Sequence, residues 1–231
     1  WRLDLAYPDQ DATQPRPAIV FVHGGGWSSG DKRTANFIGP ALNYAAKGYV
    51  TCSVNYRLNR QILPCVEDVK CAVRWLRAHA EEYDIDPQRI GAYGNSAGAH
   101  LVAMLGLSHT ESKLEGDGPW SEYSSAVQAV VASATPTLPR FGTGSDEVKR
   151  LVAPISYVSA DAPPMLLIHD QADGTVPVKN ADDFVDALKA AGAKDITYKR
   201  YENGSGHAVF IRNFEETGPL MESFFARTLG R

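Results

Sequence analysis

Gly94-Asn95-Ser96-Ala97-Gly98 places a serine between two glycines, directly after the apolar run Arg89-Ile90-Gly91-Ala92-Tyr93. A turn that needed only flexibility would use Gly, Asn or Pro. G-x-S-x-G at a junction of strand and helix is the nucleophile elbow, which lifts a serine hydroxyl above a sheet edge. The flanking glycines let strand and helix approach without Cβ clashes. Ala97 would open the helix, where unpaired N–H groups and the positive end of the dipole favour an anion. His23-Gly24-Gly25-Gly26-Trp27 follows a second buried run, Ala18-Ile19-Val20-Phe21-Val22. Consecutive glycines expose backbone N–H groups, and Gly25 and Gly26 together with Ala97 are the candidate donors to an oxyanion. One such donor is worth about 3–4 kcal/mol in the transition state. A phosphate loop fits less well, because neither G-x-x-x-x-G-K nor G-x-G-x-x-G occurs there.

A serine nucleophile needs a base, and the base needs an orienting carboxylate. In this architecture the chain order is Ser, acid, His. Of six histidines only His207, in Gly204-Ser205-Gly206-His207-Ala208, follows a late strand and meets that order. His23 and His169 read as loop braces, His100 as a hydrogen-bonded core residue, and His79 and His109 as solvated. Asp173 and Asp170 both follow the run Met165-Leu166-Leu167-Ile168-His169. Asp173 is preferred as the acid because it lies far enough past the strand to curl toward the His207 loop. Asp170 is the alternative, and either could be a plain turn aspartate. Trp27, Trp120, Leu138 and Phe141 are candidates for the substrate pocket wall. Ordinary packing is the competing account for each.

These groups need a frame. Strand-like runs fall at Arg2–Tyr7, Ala18–His23, Tyr49–Asn55, Arg89–Asn95, Ala126–Ala132, Met165–His169 and Ile196–Tyr201. Several are continuously apolar, as in strands covered on both faces. The first alternates and is expected at an edge. Helical patterns fall at Ala35–Lys47, Cys65–Tyr83, Ala97–Leu107, Lys179–Ala191 and Arg212–Thr228. In the second, Val66, Val69, Val73, Leu76 and Ala80 share one face while Arg74, Arg77 and Glu81 fall elsewhere. The alternation predicts an α/β fold: a doubly wound, mostly parallel sheet with helices on both faces and no large cap domain. Residues 1–231 are expected to form a single domain. Two stretches break the pattern, Ser108–Ser125 and Ser133–Pro164. The second is expected to serve function, since it lies on the carboxyl side of a strand.

Composition narrows the partners. The 231 residues carry a net charge of -4, with 22% charged and 44% hydrophobic residues. No basic stripe suggests nucleic acid, and no apolar run approaches the roughly 20 residues of a membrane helix. Cys52, Cys65 and Cys71 are an odd set. On one helix, Cys65 and Cys71 would stand roughly 9 Å apart, beyond the roughly 7 Å reach of a disulfide. Three buried free thiols are expected. No metal or organic cofactor is implied. Opening on Trp1 rather than Met suggests a segment upstream, so the lack of a signal peptide does not assign a compartment.

His23-Gly-Gly-Gly-Trp27, Gly94-Asn-Ser-Ala-Gly98, His169-x-x-x-Asp173-x-x-Val176-Pro177 and the late Gly206-His207 resemble the α/β-hydrolase superfamily, on the side of hormone-sensitive-lipase-like esterases and small bacterial carboxylesterases. Glu67–Arg77 and Tyr83–Ile90 further resemble the bifunctional feruloyl and acetyl xylan esterases, the BD-FAE type. The resemblance implies a serine esterase with Ser96 as nucleophile, His207 as base, Asp173 as its partner, and Gly25, Gly26 and Ala97 around the oxyanion. It implies a short or aromatic acyl ester as substrate, carried by a small molecule or a plant polysaccharide. It also implies a strand upstream of Trp1 that hairpins with Arg2–Tyr7, and it alone points to a secreted or periplasmic location. The chain departs from the family in three places. His169-Asp170 stands where the family often has His-Gly, and Gly98-Ala99-His100 where it has Gly-Gly-His. Ala134–Leu138 lacks an acidic residue that the family tends to carry there. An arylformamidase shares the His-Gly-Gly-x-Trp signature, and a binding protein on a hydrolase fold is the non-enzymatic alternative.

Overall fold

The strands that read as continuous apolar runs form the middle of one seven-stranded sheet. A computed structural model of the protein describes residues 2–9, 13–138 and 145–230. Along the chain the strands are β1 (Arg2–Ala6), β2 (Arg16–Val22), β3 (Val50–Asn55), β4 (Ile85–Asn95), β5 (Ala129–Ser133), β6 (Met165–Asp170) and β7 (Ile196–Tyr201). They lie in the order β1-β3-β2-β4-β5-β6-β7. Every pairing is parallel except β1 with β3, so the alternating first strand sits at an edge, as its pattern predicts.

The helices are α1 (Ala35–Ala46), α2 (Ile62–Ala78), α3 (Ala97–Leu107), α4 (Asp146–Leu151), α5 (Lys179–Ala190), α6 (Val209–Arg212) and α7 (Phe214–Leu229). They cover both faces. Ala18, Val20 and Val22 of β2 face a core shared with α2, α3 and α5. Ile19 and Phe21, one residue out of step, face a second core built with α1, α6 and α7. This is the two-residue period of a strand read from both sides. Helix α3 is buried along its whole length, which explains its lack of a polar face. Cys52, Cys65 and Cys71 are free and buried.

The polar residues of α2 differ from the simple amphipathic reading. Lys70 and Arg74 are fully buried, and Arg77 nearly so. The stretch 108–126 lies over them. Lys70 Nζ donates to Ser108 O at 2.9 Å and meets Glu115 Oε1 at 2.8 Å, while Arg74 reaches Glu115 Oε2 at 2.5 Å. Arg77 donates to the carbonyls of Pro87, Ser124 and Ala126. This irregular stretch is therefore fastened to the fold through buried cations. The second irregular stretch holds α4, capped by Ser145, whose hydroxyl accepts from Val148 N.

Candidate active site

The carboxyl ends of β2, β4, β6 and β7 bring the sequence motifs together. Strand β4 ends at Asn95 and α3 begins at Ala97, leaving Ser96 alone at the junction with φ 55° and ψ -121°. A non-glycine residue held there costs about 1–3 kcal/mol, which the surroundings must offset. A hydrogen bond from Ser96 N to Ser133 O at 2.9 Å helps hold it. The glycines have separate tasks. A Cβ on Gly94 would collide with the backbone of Gly98 and stand 2.8 Å from Ala99 N. A Cβ on Gly98 would collide with Val22 O and stand 2.7 Å from His23 O. One glycine lets α3 fold back on β4, and the other lets it cross the end of β2.

His207 comes from the loop after β7, in a short 3-10 turn, Gly206–Ala208. Its Nε2 lies 2.9 Å from Ser96 Oγ and its Nδ1 lies 2.8 Å from Asp173 Oδ2. The Asp173 side chain is wholly buried. Its Oδ1 accepts from the amides of Thr175 and Val176 at 2.8 and 2.9 Å, and His169 Nε2 stands 3.3 Å from Oδ2. Burial alone would push this carboxyl up. The donors from His169, His207, Val176 and Thr175 outweigh it and hold the group far below the ordinary aspartate range. Asp173 is thus an anion. Nδ1 of His207 must carry the proton facing it, which turns the Nε2 lone pair toward the Ser96 hydroxyl.

The carboxylate against the imidazole is that of Asp173. Asp170 is also buried, but its Oδ1 accepts from the amides of Ala172 at 2.8 Å and Gly206 at 2.9 Å.

The glycine loop lies against the elbow. A Cβ on Gly24 would stand 3.4 Å from Ser96 Cβ and 3.0 Å from Asn95 O. Gly25, Gly26 and Trp27 follow with φ of 114°, 59° and 56°. Ser28 N and Ser29 N both close on Gly25 O at 3.1 Å, so the loop turns its carbonyl inward. Among the described residues, no hydrogen bond takes up the amides of Gly25, Gly26 or Ala97. His23 braces this loop, as expected. Its Nδ1 donates to Gly24 O at 2.7 Å. Tyr56 lies over the ring, and its hydroxyl donates to His23 O at 2.9 Å and to Gly24 O at 3.2 Å. Burial pushes the His23 pKa down. No sequence pattern marks Tyr56 for this part, since it only follows a strand.

The pocket-wall candidates fare differently. Trp27 is 6% exposed and stands edge-on to His100, with centroids 5.2 Å apart. His100 Nε2 donates to Val152 O at 2.6 Å, which makes it the core histidine anticipated. Trp120 is a correction. Helix α3 runs about 15 Å away from Ser96, and the stretch after it crosses the outer side of α2. There Trp120 meets His79 and lines a hollow with Leu3, Val54 and Trp75. His79 itself is half-buried, stacked on Trp75 and bonded to its carbonyl, rather than solvated. Leu138 is 55% exposed. Phe141 lies outside the described residues. Among the described residues, no group of three or more His, Cys, Asp or Glu side chains is placed to hold a metal ion, and no helix is long and apolar enough to cross a membrane.

The BD-FAE family matches this chain over residues 3–141 and 137–188. The chain belongs to the BD-FAE family. Among curated proteins this BD-FAE member is similar to Esterase LipC of Mycobacterium tuberculosis, with 32% identity over 90% of the chain and 56% of that protein. It is also similar to Endo-1,4-beta-xylanase B of Butyrivibrio fibrisolvens, with 25% identity over 96% of the chain and 35% of that protein. It spans about half the length of the first curated relatives it matches. Among solved structures, butyrate-bound esterase 2 of Thermogutta terrifontis superposes with a TM-score of 0.86 at 30% identity, covering 97% of this chain and 88% of that one.

Proposed function

We propose that the protein is a serine carboxylic ester hydrolase in which Ser96, His207 and Asp173 form the catalytic triad. The observation that carries this reading is the continuous chain of contacts from Ser96 Oγ through both His207 nitrogens to a buried, ionised Asp173. Ser96 Oγ attacks the ester carbonyl while Nε2 of His207 takes the hydroxyl proton. The carbonyl π electrons move to oxygen, and the amides of Gly25, Gly26 and Ala97 receive the oxyanion. As the tetrahedral intermediate collapses, the C–O bond to the alcohol breaks and the imidazolium returns the proton to the departing oxygen. Water then repeats the sequence on the acyl-enzyme and frees the acid. Asp173 keeps the imidazole in the competent tautomer and offsets its transient charge.

We assign short or aromatic acyl esters as substrates, with acetylated or feruloylated plant polysaccharide as the natural carrier. Three likenesses support this: the family itself, similarity to a xylanase, and similarity to an esterase solved with butyrate. Ser96→Ala is expected to abolish hydrolysis of p-nitrophenyl acetate without moving the thermal melt, and near-normal turnover would refute the assignment. Acetylated xylan, methyl ferulate and a p-nitrophenyl ester series, run side by side, test the substrate class. Turnover of p-nitrophenyl esters with no release of acetate from acetylated xylan or of ferulate from methyl ferulate would remove the polysaccharide assignment.

A further inference from the structure

We propose that Asp170 is a positioning residue that fastens the turn carrying Asp173 to the loop carrying His207. The inference rests on the triad reading above and deepens it. One carboxylate oxygen of Asp170 receives two amides, Ala172 N at 2.8 Å and Gly206 N at 2.9 Å. Ala172 immediately precedes Asp173, and Gly206 immediately precedes His207. The amide of Asp173 also returns to the backbone oxygen of Asp170 at 3.1 Å. The two turns lie directly against each other, since a Cβ on Gly206 would stand 3.5 Å from Ala172 O.

Such bonds to a buried anion are short and about twice as strong as neutral ones. Asp170 is completely buried. Burial opposes its ionisation, but the amides of Gly206 and Ala172 prevail and hold the carboxyl below its ordinary range. Asp170 makes no hydrogen bond to the imidazole ring or to Ser96, so it acts on them through the two turns that it joins. Gly206 sits at φ 60°, a turn conformation that glycine adopts without strain. Without the Asp170 oxygen the histidine loop loses its tie to the sheet one residue before the imidazole.

The test compares Asp170→Ala, which removes the acceptor, with Asp170→Asn, which keeps an acceptor oxygen in the same place. Melting temperature establishes folding, and titration with a fluorophosphonate probe counts competent sites. For p-nitrophenyl acetate, Asp170→Ala is expected to lower kcat by about 10- to 100-fold with KM within about twofold of wild type. Asp170→Asn is expected to recover kcat to within about threefold. Asp170→Gly removes the same oxygen and is read the same way if Asp170→Ala does not fold. A folded Ala or Gly variant with unchanged kcat, an Asn variant as impaired as Ala, or a loss confined to KM would each overturn the proposal. A wild-type protein that neither takes the probe nor turns over ester overturns the triad reading, and this proposal with it. An active wild type with an unaffected variant overturns this proposal alone.

Discussion

Tyr56 lies flat on His23, with ring centroids 4.4 Å apart and planes 18° from parallel, and its hydroxyl holds the carbonyls of both His23 and Gly24. The ring buries the brace while the hydroxyl fixes the start of the glycine loop. Tyr56→Phe keeps the first contact and removes the second. It is expected to cost about 1 kcal/mol of stability and to lower kcat for p-nitrophenyl acetate by about tenfold, through misaligned oxyanion donors. Denaturant melts and steady-state kinetics check both numbers. A variant that loses stability but keeps full kcat would show that the loop's aim does not depend on this hydroxyl.

Asp173→Asn keeps the shape of the proposed triad acid and removes its charge. The imidazole then loses the partner that fixes its tautomer. The expected loss in kcat is on the order of 10³- to 10⁴-fold, with little change in KM. Steady-state rates on a short p-nitrophenyl ester measure it. Activity within tenfold of wild type would deny Asp173 its role.

His100 links the core to pH. Burial moves its pKa from the ordinary 6.5 to about 4, only partly opposed by its bond to Val152. In the unfolded chain it takes up a proton below about 6.5, and in the folded protein only near pH 4. Between those values the unfolded state binds more protons, so stability falls as pH drops. The contribution reaches about 3 kcal/mol. Burial pushes His23 the same way. Thermal melts from pH 7 to pH 4 should therefore decline, and His100→Gln should flatten the slope. An unchanged slope in that variant would locate the effect elsewhere.

Glu115 faces two buried cations, Lys70 and Arg74, and accepts from Ser125 Oγ at 2.7 Å. Glu115→Leu leaves both cations without their counter-charge. A loss of about 3 kcal/mol is expected, together with earlier proteolytic cleavage within 108–126. Urea melts and timed digestion test it. A variant as stable as wild type would mean that Ser108 O and Ser125 alone satisfy Lys70.

Most of the frame was legible because each signal was local. β2 and β6 are covered on both faces, and such strands announce themselves as unbroken apolar runs. Ser96 and α3 were legible because glycines flank a hydroxyl where such a run stops. Other features depend on partners far away in the chain. β4 begins at Ile85, four residues earlier than its apolar pattern suggests, because Ile85 pairs with Arg16. Arg74 and Arg77 read only as residues off the apolar face of α2, because their partners Glu115, Ser124 and Ala126 lie more than forty positions further on. Trp120 was misplaced for the same reason: the path of its loop over α2 has no local signature. Asp170 and Asp173 share one turn and one chemistry, and only the position of Gly206 separates a loop clasp from the partner of the imidazole.

The components of the site are spread widely along the polypeptide, with the glycine loop and Ser96 in the first half and His207 near the end. Synthesis from the amino terminus delivers the hydroxyl 111 residues before the imidazole that touches it. No local segment therefore holds the hydroxyl and the imidazole together, and their contact exists only once β7 has joined the far edge of the sheet.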